Sequence, residues 1–313
     1  MGRHVAAVRP FWYNETNSNF KQPLYEEWVK AGGKGIDGRQ GKGRIRSALY
    51  HIDLPTIYKG KEVRLCFVEG VSIRFDTFPD HLFHEVIPVI WDCWPKHIRL
   101  VATWFRRHGV KTAIFTSSQI ADRMRVLFPQ MNILTITEGI ETWLYTGGGT
   151  LEVREYDYLE FGRCCRVISS NKLSKNIRVL SSRYHWIQSL QTREQLIRAQ
   201  ESSKVTIALT RHDTQPKETE GIDTLTQRYW ECMLSRTLMV GRAPKELIGL
   251  IGYDPVVPIY WKNPIEQIEE IIQHIGDYQQ LVDRNREAAL KYGDWSLRAQ
   301  DIRQWLEECG YRV

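Results

Sequence analysis

The feature that most constrains this chain is a series of short, almost wholly apolar runs. Each is bounded by turn residues, and most are followed by a stretch with helical spacing. Val86-Ile87-Pro88-Val89-Ile90-Trp91 is the clearest. A run with no polar face reads as a strand buried on both sides of a parallel sheet. Pro88 has no amide proton, which predicts that the early residues of the run lie outside the hydrogen-bonded ladder. Strands are also expected at Val5–Val8, Val63–Val68, Val110–Phe115 and Ile133–Ile136. Helices are expected near Leu24–Lys30, over Lys96–His108 with Gly109 closing it, and over Gln119–Leu127. Thr116, Ser117 and Ser118 supply hydroxyls to cap the last of these. The order strand, helix, strand, helix, strand specifies an open α/β sheet.

The pattern then restarts. Glu138–Asp157, with Gly147-Gly148-Gly149, is rich in turn residues and reads as the boundary. Beyond it, strands are expected at Tyr158–Gly162, Val205–Thr210, Leu238–Val240 and Val256–Tyr260. Helices are expected at Thr192–Glu201, Thr224–Ser235, Pro244–Ile251, within Pro264–Ala289 and at Trp295–Cys309. The division is therefore an N-terminal Rossmann-like domain over 1–155 and a second over 156–293, with the helix in 294–313 packing back on the first. Ligands of such sheets bind beyond the carboxyl ends of the strands, so a cleft between the domains is the default site.

Charge excludes little. Lys and Arg number 43 against 37 Asp and Glu, a formal surplus of +6. This suits anionic small molecules or a membrane surface and carries no nucleic-acid motif. The basic, glycine-rich stretch 30–46 holds Asp37 as its one acid and reads as a mobile loop, a candidate for peripheral contact with an inner membrane surface. No apolar run is long enough to span a bilayer. The six cysteines form no C-x-x-C pair and no zinc ladder, which points to a reducing, cytoplasmic setting and no bound metal.

Chemistry concentrates in Gly221–Glu246. Asp223 and Glu231 lie eight apart. A helix starting just after Asp223, at Thr224, would present its N-terminal amides as a seat for phosphate. Glu231, two turns on among Tyr229, Trp230 and Met233, would be partly buried, and a buried carboxylate wants a partner such as ribose hydroxyls. Asp223 suits a helix cap as well as a sugar contact. Arg211 and His212, at the end of an expected strand, are further donor-side candidates.

This segment resembles the C-terminal signature of group-1 glycosyltransferases with the GT-B fold. Asp223 stands for the first of their two spaced glutamates, Glu231 for the second, and Pro244-Lys245-Glu246 for the downstream Pro-Glu. Four more pieces follow the family order: Pro88–Pro95, Thr116–Ser118, Glu138–Glu141 and Phe161-Gly162-Arg163. The style is closest to the CgeB-like branch, and the likeness covers about residues 86–290. The resemblance implies two facing Rossmann-like domains with an interdomain cleft. It also implies transfer of a sugar from a UDP- or GDP-sugar, usually with retention and without a metal; no D-x-D occurs in the chain. The acceptor would be a saccharide, a lipid-linked sugar or another small molecule, and no cofactor is implied.

By the same resemblance Arg163 would bind the diphosphate, with Arg166, Lys172 or Lys175 replacing a family lysine that is Ile168 here. Asp92 would be the polar group nearest the reaction. Trp91 fills the family's histidine position, and Ser117 lies at the serine-bearing strand end, both on the acceptor side. Ser117 and Ser118 suit helix caps equally well, and Asp92 a strand-end cap. Trp91 and the altered residues after Asp223 also fit a protein that binds a nucleotide sugar without turning it over.

Overall fold

The computed structural model describes residues 2–10, 20–37, 53–57, 60–162, 168–181 and 192–313. Its strands are β1 (Val5–Val8), β2 (Lys34–Ile36), β3 (Val63–Glu69), β4 (Glu85–Trp91), β5 (Thr112–Phe115), β6 (Asn132–Thr135), β7 (Tyr156–Glu160), β8 (Val179–Ser181), β9 (Ser203–Ala208), β10 (Leu238–Gly241) and β11 (Val257–Pro258). The longer helices are α1 (Gln22–Lys30), α2 (Pro95–His108), α3 (Ser118–Leu127), α4 (Arg193–Glu201), α5 (Gln227–Leu234), α6 (Lys245–Ile251), α7 (Pro264–Gln273), α8 (Gln279–Tyr292) and α9 (Trp295–Glu308). Among the described residues the strands form two sheets, in the orders β2-β1-β3-β4-β5-β6 and β11-β10-β9-β7-β8. Every ladder in both is parallel.

The chain divides into two units. One holds residues 1–137, 218–222 and 295–313; the other holds 138–217 and 223–294. In the first unit all seven residues of β4 are buried. The expectation for Pro88 holds on one side only: it pairs with Cys66 of β3, whereas the ladder to β5 starts at Val89. The imino nitrogen is thus tolerated in a central strand because one neighbouring ladder has not yet begun. Under the sheet, Trp91 packs on Phe20, Phe67 and Trp295 at ring separations of 6.1–6.2 Å. Trp295 opens α9, whose buried face joins the same core as α1.

The expected loop 30–46 is corrected in its first part. Lys34–Ile36 is the edge strand β2, in register with Ala6–Val8. Gly33 and Gly35 let Trp28 and Tyr25 lie against the backbone there, and the Trp28 indole donates to the Lys34 carbonyl at 3.1 Å. Residues 38–46 fall outside the described residues.

In the second unit, Arg154 is the main tie. It is 3% exposed, and its guanidinium donates to the carbonyls of Gly147, Gly149, Gln200, Ser203 and Ser235 at 2.7–3.3 Å. Burial, with Arg236 nearby, pulls its pKa down to about 10. The glycine run that reads as a linker is therefore clamped to this unit, and Glu201 takes the amides of Thr146 and Gly147 from the other side. Sequence reading missed β8, which is three residues long. Arg154→Ala leaves those carbonyls buried and unpaired, so it should destabilise the unit by about 3 kcal/mol or more, measured as a lower urea midpoint at unchanged slope.

Candidate active site

In a parallel sheet the carboxyl ends of all strands open on one side, and the polar groups of the second unit gather there. β9 ends at Ala208. Thr210 then caps the helical turn Arg211–Thr214, its amide and hydroxyl both donating to Asp213, at 3.0 and 2.9 Å. The neighbouring strand β10 ends at Gly241. With φ of +152°, and an added Cβ only 1.9 Å from the Ala208 carbonyl oxygen, this position accepts glycine alone.

Arg242 follows directly and is the hub of the cluster. Its Nε donates to Asp213 at 2.9 Å, Nη1 to Asp223 at 2.7 Å and Nη2 to the Thr210 hydroxyl at 2.8 Å. Burial alone would lower its pKa, but the hydrogen bonds to Asp213 and Asp223 hold it still further above the usual value. The Arg242 carbonyl accepts from the Tyr229 hydroxyl at 2.7 Å, which fastens α5 to the end of β10.

The segment around Asp223 corrects the expected helix start. The helix begins at Gln227, with Thr226 at its cap, and Asp223 is 6% exposed. Thr224 is therefore not at a helix N-terminus. Two interactions hold residues 223–226 out of the helix: Asp223 is drawn to Arg242, and the Leu225 amide donates to Glu246 at 2.9 Å. Glu246 lies in the first turn of α6, so the expected Pro-Glu feature acts here as a clamp on the Asp223 segment.

Glu231 lies one helical turn beyond Arg228 on α5. Its carboxyl pKa is raised, chiefly by burial; Arg228, Arg193 and the Gln200 amide, 3.4 Å away, work in the opposite sense. Arg193 is bound by Glu141 through both carboxylate oxygens. Tyr145, 5% exposed, stays protonated because burial and the Glu231 charge push its pKa well up.

Arg228 sits 4.7 Å over the Phe161 ring and presses on Gly162. A Cβ at Gly162, where φ is +64°, would fall 1.8 Å from the Arg228 guanidinium. Glycine thus serves both the turn and the approach of the arginine. The fold thereby brings the Phe161-Gly162 pair and the 228–231 face together, from positions far apart in the chain.

The other expected residues are distributed as follows. Arg163 lies outside the described residues, as does Arg166. Lys172 is exposed on the 3-10 turn Ser170–Lys172. Arg211 donates from Nε to Gln215 at 2.9 Å, within its own turn. In the first unit, Asp92 is exposed at the carboxyl end of β4, in a left-handed conformation with φ of 45°. Its carboxylate accepts from the Trp94 indole at 3.2 Å and its carbonyl meets His97 Nδ1 at 3.1 Å. Such a backbone at a non-glycine residue is strained and marks a candidate site. Ser117 is the N-cap of α3, accepting from the Ile120 amide at 3.5 Å. Trp91 is 1% exposed, so the acceptor-side expectation for its ring is corrected to a core position.

Thr210, Asp213 and Arg242 were missed by sequence reading. Thr210-x-x-Asp213 is a capping-box spacing that could have been found; Arg242 carried no local signal. Among the described residues no group of three or more His, Cys, Asp or Glu side chains could hold a metal ion, and no helix is long and apolar enough to cross a membrane.

No family model and no curated protein matches the chain. Solved structures do. HepE of Anabaena, crystallised in complex with UDP-glucose, aligns at a TM-score of 0.60 and 9% identity, over 98% of this chain and 100% of its own. Sucrose-phosphate synthase of Thermosynechococcus elongatus aligns at 0.60 and 10% identity, over 98% and 99%. A glycosyltransferase of Rickettsia africae aligns at 0.50 and 8% identity, over 98% of each chain. At these identities the likeness is one of fold. The chain has the α/β architecture of GT-B glycosyltransferases, with two parallel sheets and their helices.

A carboxyl whose pKa is raised on folding binds its proton more tightly in the native state. It therefore destabilises the fold as pH rises from the ordinary carboxylate value through the raised one. Glu231→Gln removes that penalty. The variant should melt above the wild type by about 2 °C near pH 8 and lose the advantage near pH 4, as scanning calorimetry would record.

Proposed function

We propose that the chain is a glycosyltransferase that moves a hexose from a UDP- or GDP-sugar to an acceptor hydroxyl. The observations that carry this reading are two contacts at the carboxyl end of the second sheet: Arg228 against the Phe161-Gly162 turn, with Glu231 one helical turn further along α5, and Asp223 clamped to Arg242. An acid beside a cation at the helix, and a second acid fixed nearby by a guanidinium, suit a sugar nucleotide. The former meets ribose and phosphate, the latter the transferred sugar. The fold shared with HepE, whose structure contains UDP-glucose, supports the same assignment.

In this reading Glu231 accepts hydrogen bonds from the ribose hydroxyls. Arg228, with Arg163 after the Gly162 turn, meets the diphosphate. Charge developing on the leaving group is stabilised by these guanidinium groups. The chain has no D-x-D, and we assign the stabilisation to arginine and a retaining outcome on the family resemblance. Arg242 is a positioning residue: by fixing Asp223 it sets where that carboxylate can receive a sugar hydroxyl. In the first unit Asp92 is the candidate for the acceptor hydroxyl.

A second reading, donor binding without turnover, is favoured by one observation. The family's histidine position is filled by Trp91, which is buried in the core and supplies no acid or base at the strand end.

A thermal-shift series with UDP-glucose, other UDP-sugars and GDP-sugars should stabilise the protein selectively. Glu231→Ala should weaken that binding about tenfold, and Asp223→Asn should slow sugar release about 100-fold with nucleotide binding kept. Binding without any donor turnover in the wild type would favour the second reading. No stabilisation by any sugar nucleotide would remove both.

A further inference from the structure

Tyr260 and Trp261 are 68% and 56% exposed. Adjacent bulky rings held out in water lose the benefit of burial and call for an explanation. They do not sit on a loose loop. The Gln267 side chain, in a residue 7% exposed, accepts from the Tyr260 amide and donates to the Pro258 carbonyl, both at 2.7 Å. The Asn263 amide donates to the Tyr260 carbonyl at 3.1 Å, and the Ile259 amide donates to Gly241 at 3.1 Å. The rings are thus displayed on a segment fastened to α7 and to the residue before Arg242. Such a preorganised surface loses little entropy when it captures a ligand.

The rings line a concavity of about 570 Å³ together with Asn263, Glu266, Glu270 and Lys262. This volume is within the range of small-molecule sites. Its lining combines two aromatic rings with two carboxylates, an amide and one ammonium. A pyranose has the matching form, with C–H groups on its faces and hydroxyls around its rim. Ring faces cover the former, and Glu266, Glu270 and Asn263 bond the latter. The two carboxylates against one ammonium disfavour phosphates and anionic lipid headgroups. An apolar peptide segment would bury those carboxylates without partners.

We propose that this pocket is a binding subsite for a neutral oligosaccharide, separate from the Arg242 cluster, with which it shares no lining residue. It goes beyond the transferase reading and does not depend on it, because its occupant is a glycan chain rather than a sugar nucleotide.

The test uses the whole chain without any nucleotide. The Trp261 indole resonance, identified by its absence in Trp261→Ala, is followed during titration with cellohexaose, maltohexaose and chitohexaose up to about 10 mM, a range that reveals millimolar binding. We expect at least one hexaose to shift that signal. Affinity should fall at least about tenfold in Trp261→Ala and in Tyr260→Ala, the loss of roughly 1.4 kcal/mol. Both variants change exposed side chains, and an unaltered circular dichroism melt checks that each is folded. The proposal is overturned if none of the hexaoses moves the indole signal, or if binding survives Trp261→Ala undiminished. It is overturned in favour of a membrane contact if vesicles of phosphatidylcholine and phosphatidylglycerol bind through Trp261 while the hexaoses do not. A failed donor screen with positive hexaose binding would remove the transferase reading and leave this one standing.

Discussion

Parallel pairing is the constraint on which this molecule depends. Every ladder in both sheets is parallel, so each strand must be followed by a crossover, and all carboxyl ends in a sheet face one way. Both faces of such a sheet need covering, which explains why the central strand β4 is buried along its whole length. The loops at the carboxyl ends are then the natural place for polar side chains to collect without breaking a core. Thr210, Asp213, Arg242 and the Phe161-Gly162 turn all follow strand ends of the second sheet. Asp92 holds the equivalent place in the first.

Arginine organises the second unit in two different ways. Arg154 satisfies backbone carbonyls from three segments and so acts as a rivet. Arg242 instead satisfies side chains, two carboxylates and a hydroxyl, while remaining partly open to solvent. The planar guanidinium fork suits both tasks, because its donors point in fixed directions. Its consequence at the strand ends is that Asp223 is held in one position. Stability and chemistry then diverge at Glu231. That carboxylate is disfavoured by its burial, yet the surrounding Arg193, Arg228 and Gln200 offer an environment in which it can accept hydrogen bonds.

Much of the fold was legible because apolar periodicity and end signals act locally. Gly109, in a left-handed conformation, ends α2 as expected, and Thr192 caps α4 with the reciprocal Gln195 contact. The strands from β3 to β6 fall within one or two residues of their expected positions. Where reading failed, distant partners prevailed. The Asp223 segment would continue a helix by its own spacing, but Arg242 and Glu246 hold it out of the helix. The basic stretch around Lys34 has a loop's composition, but β1 offers an edge that its backbone can pair with regardless of side chains. Trp91 reads as a strand-end residue, yet Phe20 and Trp295, from the two ends of the chain, bury it.

The sequence by itself determined the alternation of strand and helix and the two α/β sheets, and it marked the region between Gly221 and Glu246 as the candidate site. These follow from the period of the apolar residues and from glycine and hydroxyl signals, each read within a few neighbours. Only the tertiary structure decided that Asp223 belongs to Arg242, that Gly162 lies beneath Arg228, and that Tyr260 and Trp261 stand out on a braced loop. Each of those outcomes depends on groups separated in sequence and joined by sheet order, and no local pattern encodes which strand end will meet which.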